Sequence, residues 1–268
     1  MNLRISLLLI FFLTFYSQAK DSDCQFTVRA ESEQNNSNFI SHNTNQLSRQ
    51  SYALLDALAA KVSCKIIPQP IPFSRSLKML EAGTLSVISG MSKTAEREKF
   101  SYFIGPYHNE RIVVVGNNEL KGIVTNLGQI LKLNVPISVT QGAFYGAQWE
   151  RALDTDPTLK TRIAYLAENQ QKFSMLMSNR VAMSLEDERV VDELLGQDSF
   201  KKRLAKLFVL HENPVYFAFS KKAVSETQYK RLDQHWQQMV QSGEVKAIQD
   251  KIESPRVEKT PPSQVVQD

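Results

Sequence analysis

The chain has 268 residues, 42% hydrophobic and 22% charged, an ordinary soluble composition sufficient for one large domain or two modest ones. Its 32 basic and 28 acidic residues leave a net charge of +4, too small to imply a nucleic-acid partner. The densest basic cluster, Lys201-Lys202-Arg203 with Lys206, is interleaved with Leu204, Ala205 and Leu207 and reads as the solvated side of an element rather than a phosphate stripe.

The N-terminus reads as an export signal. One positive charge, Arg4, precedes an apolar run over 5–16 that is too short to span a bilayer. Ser17 and Ala19 then supply small residues at the −3 and −1 positions of a cleavage site. Residues 1–19 are expected to be removed, leaving a net charge of +3 and a periplasmic protein. The first cysteine, Cys24, lies beyond the cleavage point, so lipidation is not expected.

Strand-like and helix-like segments then alternate. A strand over 26–30 is followed by an amphipathic helix over 48–62 with Leu54, Leu55, Leu58 and Ala59 on one face. A strand over 64–67, a helix over 74–82 stopped by Gly83 and a strand over 85–89 complete a set whose strands pair in parallel through right-handed crossovers. Cys24 and Cys64 each open a strand of this set. If those strands are neighbours their first residues lie side by side, so an exported chain is expected to join them in a disulfide, the alternative being two buried thiols.

An apolar strand over 111–115 leads to a break at Gly116-Asn117-Asn118 and a second α/β set. This has helices over 127–131, 144–152, 169–178 and 188–195 and strands over 137–140, 162–165 and 181–185. A further strand over 214–219 precedes helices over 225–242 and 245–252. The tail after 253 is rich in Pro, Lys, Glu and Gln and is expected to be disordered. The fold class is therefore α/β in two lobes. Residues 20–112 with 215–253 form the first and 113–214 the second, with parallel or mixed sheets joined by two hinge strands and a cleft between the C-terminal ends of the strands.

Pro72 to Tyr107 reads PFSRSLKMLEAGTLSVISGMSKTAEREKFSYFIGPY. Phe73, Arg75, Leu77, Gly83, Thr94, Arg97, Phe103, Pro106 and Tyr107 fall in an order that resembles the family 3 extracellular solute-binding proteins of polar amino acid transporters. The resemblance implies a type II-like periplasmic-binding-protein fold. It implies that Arg97 binds the ligand's α-carboxylate, helped by Thr94 or neighbouring backbone. A guanidinium suits the task because its planar fork gives a carboxylate two parallel charge-assisted hydrogen bonds. By spacing alone Arg97 could equally pair with Glu96 or Glu98 on a surface helix. Gly90 and Met91 end the third strand with backbone turned to the cleft, although Gly90 also reads as a plain turn residue; Arg75, from the same pattern, joins them as a ligand-binding candidate.

In the second lobe the turn Thr140-Gln141-Gly142-Ala143-Phe144 is where the family presents backbone N–H groups to the carboxylate; a simple helix cap is the other reading. Ala143 stands where relatives often carry Ser or Thr, so Gly142 and Ala143 offer backbone only. Asp187 matches the position whose carboxylate pairs with the ligand's α-ammonium, although an Asp there also serves as a helix N-cap and Glu186 competes for the role. The sequence departs from the family after the first strand, where Glu31 to Asn36 replace a Pro- and aromatic-rich stretch. Phe39, Phe73 and Tyr145 are candidates for the missing aromatic lid, and Glu31 and Glu33 read as a solvated loop or as cleft acids.

The expected function is that of a monomeric periplasmic receptor. It would take a small zwitterionic or carboxylate ligand, amino-acid-like, to an inner-membrane ABC permease, with no cofactor, metal, nucleic acid or catalysis. The histidines His42, His108, His211 and His235 lack metal-ligand spacing, and neither Gly-x-Ser-x-Gly nor a phosphate loop occurs. Two alternatives keep the fold: a sensor subunit for a separate membrane signalling partner, or a cyclohexadienyl dehydratase-like enzyme with Glu186 as acid or base.

Overall fold

The computed structural model describes residues 24–30 and 46–253. The expected signal segment and tail, Glu31, Glu33, Phe39 and His42 lie outside the described residues. The elements run β1 (Cys24–Ala30), α1 (Gln46–Lys61), β2 (Cys64–Pro70), α2 (Phe73–Ala82), β3 (Val87–Ser92), α3 (Ala95–Glu98) and β4 (Ser101–Asn117). After a 3-10 turn follow α4 (Leu127–Lys132), β5 (Ile137–Thr140), α5 (Ala147–Thr155), α6 (Pro157–Thr161), β6 (Ile163–Leu166) and α7 (Asn169–Met177). The chain continues through β7 (Met183–Asp187), α8 (Glu188–Leu195), α9 (Asp198–Lys201), β8 (Leu204–Ser220), α10 (Glu226–Gln241) and α11 (Glu244–Glu253).

The eight strands form one sheet in the order β2-β1-β3-β8-β4-β7-β5-β6. β1 pairs in parallel with β2 and β3, and β5 with β6 and β7, as β-α-β connections require. β4 and β8 run antiparallel to each other along their 17 residues each, through both halves of the molecule. β3 flanks β8 only from Val215 onward, and β7 flanks β4 only from Ile112 onward. Between those limits the sheet narrows to a neck of two strands, where Asn109, Glu110 and Arg111 face Pro214, Asn213 and Glu212. The two expected sheets are thus continuous through this ribbon.

Apolar side chains cover both faces of each half, as buried parallel strands demand. In the first half Leu54, Leu55 and Leu58 of α1 pack with Phe217 and Phe219 of β8 and with Trp236 of α10, so the last helices return to the first lobe. Leu80 of α2 packs on the opposite face with Leu85, Ile88 and Met91. In the second half Trp149, Ile137 and Leu185 lie on one side, and Leu176, Val191 and Val113 on the other. α2 ends as its glycine predicts. Gly83 takes a left-handed φ of 83°, and a Cβ there would come within 2.7 Å of Lys222. Cys24 and Cys64 are register partners on β1 and β2, with Cα atoms 4.4 Å apart, and form a disulfide.

The largest departure from the sequence reading lies in the ribbon. Residues 101–110 and 208–213, where the sequence pattern marks no strand, are strand, and so is the 204–207 part of the basic cluster. Gly105-Pro106 and Pro214 break the alternation that marks a strand, and the ladder accommodates the first of these with a register shift between Ile104 and His108. The short helices α3, α6 and α9 also carry too few residues to show a period.

Candidate ligand-binding cleft

A cleft of about 1260 Å³ opens between the halves. Arg29, Phe73, Gly90, Arg97 and Tyr107 line it from the first half; Thr140, Ala143, Tyr145, Glu186 and Asp187 line it from the second; and Glu110 enters from the neck.

Arg97 is placed by a one-turn helix. Thr94 caps α3, its Oγ1 accepting the Arg97 amide at 3.3 Å, and the guanidinium turns inward until the residue is 8% exposed. Nη1 donates to the Ser92 carbonyl at 2.9 Å and Nη2 to the Gly142 carbonyl, across the cleft, at 3.0 Å. Glu98 pairs instead with Lys93 at 3.0 Å, and Glu96 with Lys99, so the surface pairing open to Arg97 by spacing is not made. Removal from water lowers the pKa of the guanidinium, and the nearby carboxylates Glu110 and Glu150 oppose that. Two neutral carbonyls therefore orient the fork, and no carboxylate bonds to it. A guanidinium carries five N–H groups, so most remain for a ligand.

The turn after β5 differs from its expected form. α5 starts at Ala147 rather than near Phe144, so Gly142 and Ala143 stand clear of the helix end. The Ala143 amide is bonded to the Thr140 carbonyl at 3.2 Å, and what the turn offers Arg97 is the Gly142 carbonyl. Gly142 has φ +85°, and a Cβ there would fall 2.9 Å from Leu77 Cδ1 of α2; glycine lets this turn touch the opposite half.

Asp187 ends β7 and caps α8, as its N-cap reading has it, and it also lines the cleft. Its Oδ1 accepts the Arg189 amide at 2.8 Å, while its Oδ2 is buried in the cleft wall without a hydrogen-bond partner. Burial, and then the neighbouring Glu186, push its carboxyl up to about 6 against the help of the Arg189 amide. Glu186 is engaged by the protein. Its Oε2 lies 2.6 Å from Nζ of the fully buried Lys172, and its Oε1 accepts the Asp187 amide at 2.9 Å. Lys172 Nζ also donates to Thr140 Oγ1 at 2.7 Å and to the Leu185 carbonyl at 3.2 Å, tying α7 to the ends of β5 and β7.

Glu110 was not singled out by the sequence. It is half-buried, and it forms no hydrogen bond or ion pair through its carboxylate among the described residues. Burial first, then Asp187 and Glu186, push its carboxyl up to about 8, with Arg97 pulling the other way. The usable signal was alternation. Glu110 stands two residues before Ile112, the register partner of Asp187, but only once β4 is known to extend that far.

Of the other candidates, Gly90 lines the cleft at φ +73°. Met91 is fully buried in the core beside Ile88 and does not line the cleft. Arg75 is exposed on α2, away from the lining, and Thr94 contributes its cap. Phe73 and Tyr145 both line the cleft, the Tyr145 hydroxyl accepting the Thr140 amide at 2.7 Å. Among the described residues no group of three or more His, Cys, Asp or Glu is placed to hold a metal ion, and no helix is long and apolar enough to cross a membrane.

A cleft between two α/β halves that share two crossing strands is the architecture of a binding protein, and the sequence matches the model of the bacterial extracellular solute-binding proteins, family 3, over residues 28–253. The chain belongs to that family. Its fold is similar to that of a mutant of the arginine-binding protein of T. maritima, with TM-score 0.67, 15% identity, and coverage of 85% of this chain and 94% of that one. It is also similar to an amino acid ABC transporter substrate-binding protein of Streptococcus pneumoniae bound to L-arginine, with TM-score 0.65, 17% identity and coverage of 85% and 94%. A third similar structure is an ancestral amino acid-binding protein described as a precursor of cyclohexadienyl dehydratase, with TM-score 0.64, 17% identity and coverage of 85% and 94%. No curated protein matches the sequence significantly. At these identities the structural likeness establishes the two-lobed fold, and the family match establishes solute binding as the family's role.

Proposed function

We propose that this chain is a periplasmic receptor for an α-amino acid, which it carries to an ATP-driven inner-membrane permease. In this reading residues 1–19 are removed on export. The lobes are 20–112 with 215–253 and 113–214, and they close over the ligand by flexing at the neck. One observation carries the proposal: Arg97 and Asp187 face the same cleft, a guanidinium oriented by neutral carbonyls and a buried carboxylate oxygen without a partner. A carboxylate answers the first and an ammonium the second, and an α-amino acid carries both on one carbon. Closure follows because a ligand that engages both sides stabilises only the state in which both can reach it. The similar proteins with bound L-arginine support the ligand class.

The test is a thermal-shift screen of the processed protein against the amino acids. A bound ligand at about 100 times its dissociation constant stabilises by about 2.7 kcal/mol. The proposal fails if no amino acid moves the transition, or if Arg97→Ala binds as tightly as the parent.

A second reading has one specific observation in its favour. The Glu110 carboxylate enters the cleft without a hydrogen bond or ion pair among the described residues, and burial pushes it up to about 8, which suits a general acid. Incubation with a cyclohexadienyl acid such as prephenate decides: turnover that Glu110→Gln abolishes would make the chain an enzyme.

A further inference from the structure

Arg29 near the end of β1 is a second guanidinium in the cleft, and among the described residues no carboxylate answers it. It lines the cleft with 5.5 Å between its Cζ and the centre of the Phe73 ring, and its Nε donates to the Ile71 carbonyl at 3.1 Å. No ion pair to it exists among the described residues. The backbone beneath it is fixed as well, because the Tyr52 hydroxyl donates to the Arg29 carbonyl. Stacking on a ring and one bond at Nε hold the plane of the guanidinium while leaving the N–H groups of Nη1 and Nη2 to the cleft. The cleft residues contributed nearby by α1 and β3 are neutral hydroxyls. Ser51 Oγ lies 3.5 Å from Ser89 Oγ, and Ser48 adds a third.

Of the acids that line the cleft, Glu110, Glu186 and Asp187 gather around one another and Arg97. Glu110 acts on Asp187 and Arg97, the groups assigned above to the ligand's α-carbon, and on Glu186 beside them. An α-amino acid held by Arg97 and Asp187 leaves its side chain to the rest of the cleft wall, where Arg29 is the other lining cation.

We propose that Arg29 is a specificity residue that binds an anionic group on the ligand's side chain, so that the preferred ligand is an acidic amino acid. The proposal rests on the amino acid reading above, and it departs from the arginine bound by a similar protein. The chemistry is that of Arg97 repeated. A carboxylate or phosphate meets a planar fork held in place by neutral groups, and its desolvation is offset by charge-assisted hydrogen bonds. A cationic side chain would have to bury a second positive charge beside Arg29 with no neutralising partner.

The experiment is calorimetric titration of the processed protein with L-glutamate, L-aspartate, O-phospho-L-serine, L-glutamine and L-arginine, repeated on Arg29→Gln and Arg29→Lys. Glutamate or aspartate is expected to bind at least about tenfold more tightly than glutamine, and Arg29→Gln to bring that ratio close to one while glutamine binding holds. Arg29→Lys keeps the charge without the fork and should retain part of the preference, which guards against loss of folding in the Gln variant. Phosphoserine binding best would assign the side-chain anion to phosphate rather than carboxylate, with Arg29 in the same role. The proposal is overturned if the parent prefers arginine or glutamine, or if the ratio survives Arg29→Gln; in both cases the amino acid reading stands. Absence of binding by all five compounds overturns the Arg29 proposal, while the screen against the full set of amino acids decides the amino acid reading separately.

Discussion

The two walls of the cleft handle buried charge in opposite ways. On the first wall, Arg97 and Arg29 are held by backbone carbonyls and an aromatic ring, which aim a cation without cancelling it. On the second, Glu186 is cancelled by Lys172 at 2.6 Å, and Asp187 spends one oxygen on the first amides of α8 and leaves the other without a partner. A buried ion pair complete in itself holds elements together; a buried charge oriented by neutral groups is ready for something to arrive. By that criterion Arg97, Arg29 and one oxygen of Asp187 fall to ligand recognition, as proposed above, and Lys172 with Glu186 to the framework.

The sharpest way to break this comparison is to treat both kinds of charge alike. Replacing Arg97 by Met should weaken binding of the best amino acid by about 3–5 kcal/mol in calorimetry, since the ligand carboxylate would be desolvated with no cation to meet it. A Lys172→Met substitution should instead act on folding. It strands Glu186 and lowers stability by about 3–5 kcal/mol in urea titration, and a second change, Glu186→Leu, should restore much of that. If Lys172→Met leaves stability unchanged, the pair is not framework.

Opening the disulfide with Cys24→Ser and Cys64→Ser should cost about 3–4 kcal/mol of stability for a link spanning 40 residues, with ligand affinity unaltered because it lies at the start of β1 and β2, away from the cleft. Asp187→Asn keeps a capping oxygen for the Arg189 amide, so it should weaken binding by about 1–2 kcal/mol while the melting temperature moves little. The smallest effect is a slope. Glu110 titrates near 8 when folded against an ordinary 4.5, so between those values the folded state holds the extra proton and stability falls as pH rises. Glu110→Gln should flatten that slope in ligand-free melts recorded from about pH 5 to about pH 8.

Most of the architecture was legible because the helices are long and the strands between them short. The apolar period of α1, the glycine stop of α2 and the paired starts at Cys24 and Cys64 all appear where the residues place them. The ribbon was less legible. Its pattern is interrupted at Gly105-Pro106 and Pro214, so only the apolar stretches 111–115 and 214–219 read as strand. That concealed Glu110. Arg29 sat within a strand that was read, but a strand residue gives no sign of which ring lies under it until α2 is packed in place. Met91 illustrates the converse: it follows the cleft-lining Gly90 in sequence, yet its side chain is fully buried beside Ile88, past a register shift in β3.

The two-strand neck carries one more implication. A pair of strands bonded edge to edge yields readily to bowing across its flat face and resists sliding or swivelling, because those motions break the rungs between the strands. Closure of the halves, as proposed above, would therefore follow one preferred arc, like a book on a cloth spine. Arg111 fastens that spine by bonding Glu212 across it at 2.9 Å and Glu188 of α8 at 2.7 Å. Glu110 is its neighbour on the same strand, so each flexing of the spine carries an acid inside the cleft with it, and the electrical character of the chamber changes in step with its shape.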